Sequence, residues 1–210
     1  MCEGTGRKVI FGAILIHLLT KKDIRKEYLE KRLNLPDDVI ATLNRELLHQ
    51  CRLLDYSNFS MAHIFLPITE KKEADTHALV DWAREAYPAL QWALSRSDMR
   101  NATMEHFLWK PDTVLVKNAY GIPEPAGGIT LLPAEMDLVF VPMLAFDKKG
   151  QRVGYGKGMY DRFLKQCSPT VTTIGLSLFE PVEAIADAGE NDVPLDMVVT
   201  PQTIYYFKKS

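Results

Sequence analysis

Between residues 21 and 34 the apolar side chains Ile24, Tyr28, Leu29 and Leu33 recur at helical spacing in an otherwise charged segment, which predicts a first helix. Pro36, Asp37 and Asp38 open a second helix running to about residue 54, with proline at its start and acids in its first turn. Residues 63–66 read as a strand, 74–86 as a helix and 89–94 as the next strand. Residues 104–109 and 114–116 predict shorter, more exposed strands. Gly121-Ile-Pro-Glu-Pro125-Ala-Gly-Gly128 predicts a rigid loop, because each proline disfavours helix at itself and its neighbour. The apolar, partly β-branched run 137–144 predicts a buried strand, and 145–150 a turn ending in Gly150. A helix is expected from Met159, followed by strands over 170–177, 197–200 and 203–207. Strands alternate with helices and no repeat, low-complexity tract or linker interrupts them. The pattern predicts an α/β fold, a single domain on an open, mostly parallel sheet with flanking helices.

The 210 residues suffice for one substantial domain. Charge is nearly balanced, with 25 Lys and Arg against 27 Asp and Glu, so no global field steers the chain toward nucleic acid or a membrane, and neither is expected as a partner. The three cysteines (Cys2, Cys51, Cys167) are odd in number and far apart, which suggests neither a disulfide framework nor a zinc site and fits a cytoplasmic protein. Arg7-Lys8 followed by the apolar run 9–19 resembles the charged and apolar parts of a short signal peptide, but it is too short to span a bilayer and no small-x-small site follows it. Residues 1–20 are therefore expected to be an N-terminal extension that packs as a helix or is poorly ordered, ahead of a domain over 21–210.

Chemistry concentrates in Arg152-Val-Gly-Tyr-Gly-Lys-Gly-Met-Tyr-Asp161-Arg162. Glycine at 154, 156 and 158 lets the backbone turn its N–H groups toward an anion and lets phosphate oxygens approach closely. Lys157 adds a mobile cation, Arg152 and Arg162 bracket the segment, and the helix after it would lend the partial charge of its N-terminus. Asp161, just beyond, is the kind of carboxylate that holds Mg²⁺ beside a nucleotide. The order strand, glycine-rich loop, helix is how α/β proteins present phosphates. A plain chain reversal is the competing reading. The segment is neither a Walker loop nor a dinucleotide fingerprint.

Three further constellations stand out. Lys21 and Arg25 are cations one helical turn apart, which alone reads as a solvated surface pair. Glu73-Ala-Asp75-Thr76 lies at a strand-to-helix junction and reads equally as a helix cap. Glu190-Asn191-Asp192 precedes the last strands; Asp192 could join Asp161 at one metal, or simply form a turn. The five histidines show no paired ligand spacing, and no serine nucleophile elbow is present. Trp109 follows a strand and could stack on a flat ring or sit in the core.

In order along the chain, Lys21-x-x-x-Arg25, Ile64-Phe-Leu66 with Glu73-Ala-Asp-Thr76, Gly121-Ile-Pro-Glu-Pro125, residues 137–142, Ala145-Phe-Asp147, the glycine segment through Asp161, and Glu190-Asn-Asp192 resemble the 5-formyltetrahydrofolate cyclo-ligase family over roughly residues 21–200. The resemblance implies a fold of the NagB/RpiA/CoA-transferase-like kind with a glycine-rich phosphate loop. It implies ATP-dependent conversion of 5-formyltetrahydrofolate to 5,10-methenyltetrahydrofolate with ADP and phosphate released, Mg²⁺ as cofactor, and a monomer as the expected state. By the same resemblance Arg25 and Lys157 would be catalytic. ATP would meet Lys21, Lys22, Arg25, Arg152, Val153, Gly154, Tyr155, Gly156, Lys157, Gly158, Met159 and Tyr160. The folate would meet Leu66, Glu73, Trp109, Tyr155, Gly156, Lys157, Gly158 and Met159, with Glu73 on the donor-rich pterin edge. Asp161 and Asp192 would bind the metal directly or through water. One departure is Met159, where the family usually carries a second tyrosine before the aspartate; altered folate affinity is expected there. An enzyme activating a different amide with ATP, and a non-catalytic folate or nucleotide binder, are the rival readings.

Overall fold

The computed structural model describes the backbone of residues 8–11 and 14–17 and the complete residues 19–207. In the N-terminal extension, expected to pack as a helix or be poorly ordered, β1 (Lys8–Phe11) and β2 (Ile14–His17) pair antiparallel as two short strands. A short apolar run rich in Val and Ile carries no periodicity that separates strand from helix.

α1 (Lys21–Leu33) opens with a capping box in which the Thr20 side chain accepts from the Asp23 amide and Asp23 reaches back to Thr20, and it buries Ile24, Tyr28 and Arg32. α2 (Asp37–Cys51) follows, with Pro36 as its N-cap. Then come β3 (Met61–His63), α3 (Thr76–Ala86), β4 (Gln91–Asp98) and β5 (Thr103–Leu108). A hairpin of β6 (Leu115–Lys117) and β7 (Pro123–Pro125) comes next, with β8 (Thr130–Leu131) and β9 (Leu138–Pro142) after it. A tight hairpin of β10 (Ala145–Phe146) and β11 (Arg152–Val153) leads into α4 (Met159–Leu164). β12 (Thr172–Leu176), β13 (Met197–Val199) and β14 (Ile204–Tyr206) complete the described chain.

Eight strands form one sheet in the order β14-β13-β12-β9-β3-β4-β5-β8. The inner run β13-β12-β9-β3-β4 is parallel, whereas β14, β5 and β8 join antiparallel. The expected mostly parallel sheet is present, with antiparallel edges. β9 shows why its segment is apolar throughout: Leu138 and Phe140 pack on the α2/α3 side, while Val139 and Val141 pack on the α4 side. A third cluster (Ile24, Tyr28, Leu144, Ala145, Val153, Phe179, Ile185) fixes α1 against the β10–β11 hairpin. On β12, a Cβ at Gly175 would come 2.0 Å from Met143 Cε and 2.6 Å from Leu195 Cδ1, so only glycine lets these side chains cross the strand there.

Two readings shift. The third strand ends at His63; the Ile64 amide still donates to the Ala93 carbonyl of β4 at 3.0 Å, and Phe65 and Leu66 leave the sheet beyond it. The proline-rich loop contains β7, because an edge ribbon needs few backbone donors and tolerates Pro123 and Pro125.

Candidate active site

A cavity of about 360 Å³ opens where β3 and β9 end and β4 passes beside them. Its position outside the carboxyl ends of parallel strands is the usual one for ligands in open α/β sheets. The glycine segment forms one wall, from Arg152 to Asp161. Lys21 and Arg25 reach the same wall from α1, and Asp192 from the segment before β13. Leu66, Glu73, Phe65, Ile68, Met104, Ile122 and Glu124 line the remainder.

The glycine wall is held by specific contacts. Asp147 is 2% exposed and accepts the amides of Lys149 at 2.8 Å, Gln151 at 3.1 Å and Ile185 at 3.2 Å, which closes the turn ahead of β11. Gly156 lies at φ +87° and Gly158 at φ +63°, conformations that L side chains adopt at a cost. A Cβ on Gly156 would stand 3.0 Å from the Arg25 guanidinium carbon, so that side chain lies directly against the bare backbone. Arg25 Nε also donates to the Gly154 carbonyl at 2.9 Å. Among the described residues, the backbone amides of 154 to 158 donate to no protein acceptor. Five successive amides without a protein acceptor, beside cations, are chemically suited to accept an anion. α4 has six residues, too short to add much of a dipole.

Charge in the cavity is mostly paired. Asp192 accepts from the Lys21 ammonium and from the Gly189 amide at 2.7 Å. Burial alone raises the Asp192 carboxyl, but the Gly189 amide, Lys21 and Arg152 together outweigh it and hold it below its usual range. Asp161 accepts from Arg152 Nη2 at 2.7 Å and from the Val193 amide at 3.1 Å. Burial pulls the Arg152 guanidinium downward, opposed by Asp161. Asp161 and Asp192 thus stand on adjoining backbone, the amide after Asp192 being held by Asp161. Deeper in, the Tyr155 hydroxyl accepts from buried Arg32 and donates to Glu73 Oε1 at 2.5 Å, while Glu73 Oε2 accepts the Ile68 amide at 2.8 Å. Burial, then the Glu73 carboxylate, push the Tyr155 phenol well above its usual value. The Lys157 ammonium is exposed and meets no protein acceptor among the described residues.

Of the residues expected to bind ATP, folate or metal, the cavity gathers all but two. Lys22 is exposed on the outer side of α1. Trp109 does not line the cavity; it packs against the α2/α3-side core under the Arg84 guanidinium, 4.4 Å from its ring centroid. Sequence reasoning passed over Arg32, although a charge on the buried stripe of α1, one turn beyond Tyr28, is a signal in itself. Glu124 was read only as part of a rigid loop, yet it is 6% exposed and faces the cavity. Phe65, Ile68, Met104 and Ile122 carry no local signal, because their place on the wall depends on the sheet order.

Two hard carboxylate oxygens on adjoining backbone suit Mg²⁺, which takes one or two carboxylates and completes its shell with water and phosphate oxygens. Among the described residues no cluster of three or more His, Cys, Asp or Glu could hold a metal by itself. The donor set therefore fits a metal that arrives with a phosphate ligand.

The chain is similar to known proteins over most of its length. The 5-formyltetrahydrofolate cyclo-ligase from Escherichia coli K12 is 31% identical over 169 residues, spanning 73% of this chain and 86% of that protein. The mouse protein of the same name is 28% identical over 156 residues, spanning 69% and 74%. A shorter stretch of 67 residues is 45% identical to the Haemophilus influenzae cyclo-ligase, 29% of this chain and 36% of that one. The solution structure of Aquifex aeolicus 5,10-methenyltetrahydrofolate synthetase superposes with a TM-score of 0.70 at 26% identity, covering 90% of this chain and 94% of that one. The family model of the 5-formyltetrahydrofolate cyclo-ligases matches residues 18–201, and the chain belongs to that family.

Proposed function

We propose that the chain, an enzyme of this family, cyclises 5-formyltetrahydrofolate to 5,10-methenyltetrahydrofolate at the expense of ATP, releasing ADP and phosphate. The observation that carries the reading is the run of open amides at 154 to 158, set beside Arg25 and Lys157 and facing a partly apolar chamber with Glu73 at its side.

A formamide oxygen is a poor leaving group, so N10 of the folate cannot displace it directly. Attack of the formyl oxygen on the γ-phosphorus releases ADP and leaves an imidate-like phosphate. N10 then adds to the carbon, and the oxygen departs within inorganic phosphate. Positioning and neutralisation of charge dominate such a reaction. The amides of 154 to 158 and Lys157 would cradle the phosphates, with Lys21 and Arg152 on either side. Arg25 would reach both the γ-phosphate and the formyl oxygen. Asp161 and Asp192 would hold Mg²⁺, which when bound neutralises phosphate charge. Leu66, Tyr155 and Met159 would wall the pterin, and Glu73 would accept from its N–H edge beside the bonds it already takes from Ile68 and Tyr155.

The test is turnover by purified protein. Methenyl folate should form with one ADP per product, only when ATP and Mg²⁺ are both present. Tight folate binding without turnover would indicate a binding module, and ATP hydrolysis indifferent to the formyl folate would indicate another substrate. Lys157→Ala should raise KM for ATP about 10-fold or more while folate affinity stays near wild type, as expected for loss of a charge-assisted contact. Equal loss of both would make the loop structural.

A further inference from the structure

Four carboxylates line the cavity: Glu73, Glu124, Asp161 and Asp192. Three of them face cations, Asp192 at Lys21, Asp161 at Arg152 and Glu73 at Arg32 through Tyr155. Glu124 alone among these four has no cation. Its Oε1 accepts the Ser97 amide at 2.9 Å, and among the described residues Oε2 takes no protein donor. Oε2 is also absent from the buried atoms that lack a partner, so in a residue only 6% exposed it looks into the cavity. The backbone holds it there firmly. Pro123 and Pro125 fix φ on both sides, and β7 pairs with β6, Val116 lying opposite Glu124.

An ionised carboxylate buried without a cation costs free energy unless a ligand supplies positive charge or a strong donor. Resting on the function proposed above, the reaction supplies both. When N10 adds to the activated carbon its nitrogen becomes positively charged and acidic, and its proton must leave before the ring is complete. The product then carries a delocalised positive charge over N5, the bridging carbon and N10. The geometry points to Glu124 as the base for this step: the N10–C bond forms, the N10 proton passes to Glu124 Oε2, and the C–O electron pair leaves with inorganic phosphate. The carboxylic acid returns its proton to water as product departs. Glu73 is committed elsewhere: its oxygens hold the Ile68 amide and the Tyr155 hydroxyl, and in the function proposed above its remaining lone pairs take the pterin N–H edge.

The experiment compares wild type, Glu124→Gln and Glu124→Asp for ADP release and methenyl formation in single turnovers, with KM for both substrates and kcat against pH. Glu124→Gln keeps the shape and the acceptor for Ser97, and thermal unfolding checks that it folds. It should lose about 100-fold or more in kcat with folate KM near wild type, and the decline of kcat at low pH expected of wild type should be absent. ADP release should outrun ring closure in this variant. Glu124→Asp keeps the charge but draws it back by one methylene, and should show an intermediate kcat with the acid limb intact. Wild-type kcat in Glu124→Gln, or a raised folate KM with unchanged kcat, overturns the inference, the latter making Glu124 a pterin-binding group. If Glu124→Gln does not fold, wild-type kcat in Glu124→Asp overturns it. Absence of turnover in wild type overturns the proposed function and this inference together, so the two failures are distinct.

Discussion

Gly154 and Gly156, which look equivalent in sequence, have different physical duties. Gly156 lies at φ +87° against the Arg25 guanidinium, whereas nothing stands within 4 Å of a Cβ on Gly154. Gly156→Ala should therefore cost about 1–2 kcal/mol of stability and raise KM for ATP as Arg25 is pushed aside. Gly154→Ala should stay within about 0.5 kcal/mol of wild type. Gly175→Ala overpacks the core between Met143 and Leu195 and should cost about 1–3 kcal/mol. Chemical denaturation of the three variants separates these outcomes; equal losses would make the distinction wrong. The loop's place on the cavity wall was legible because Gly, Lys and Asp at that spacing stand out without tertiary help. Glu124 was not, since its significance comes from what lies across the cavity; Arg32 was signalled by its place on the buried stripe of α1 but passed over, and Trp109 misled because a tryptophan after a strand suits a core as well as a pocket.

At the scale of elements, α1 is the clearest case of sequence predicting both form and placement. Its capping box, charged outer face and stripe of Ile24 and Tyr28 define the helix, and the same stripe seats it on the β10–β11 hairpin so that Lys21 and Arg25 reach the glycine loop. Thr20→Ala removes the acceptor for the Asp23 amide and should cost about 1 kcal/mol, with KM for ATP rising as the first turn carrying Lys21 frays. A thermal scan and ATP kinetics test this together; unchanged values in both would show that tertiary packing alone sets the helix start. β3 was harder to delimit. Ile64, Phe65 and Leu66 are as apolar as a strand requires, but only the Ile64 amide still bonds to β4, and Phe65 and Leu66 are buried by the cavity wall and the α2/α3-side core beyond it. β8 and the β10–β11 pair are two residues long in each strand, below the length at which any periodicity can be read.

For the molecule as a whole, the sheet buries a histidine pair that should make the fold sensitive to acid. His63 on β3 and His106 on β5 sit edge to face, 5.3 Å apart, against Phe163 and, for His63, Tyr160. Burial lowers His106 from 6.5 to about 4, and burial, then the neighbouring His106, lower His63 well below its usual value. Because the folded pKa is depressed, the unfolded chain binds protons that the folded one refuses. No cost arises above the unfolded value of 6.5; the cost grows as pH falls and levels off only below the folded pKa, about 4 for His106. On the order of 3 kcal/mol is lost across that window from His106 alone. Urea midpoints between pH 7 and 4 should fall accordingly, and His106→Gln should flatten the slope; a slope unchanged by that substitution would locate the acid sensitivity elsewhere. The sheet's parallel centre and antiparallel flank carry one more consequence. The glycine loop and its cations hang from β10, β11 and α1, whereas Glu124 and Ser97 hang from β7 and β4. With separate scaffolds on the two sides of one chamber, inherited change in the β6–β7 ribbon would, under the function proposed above, bear on the folate through Glu124 while leaving in place the loop that would cradle the phosphates.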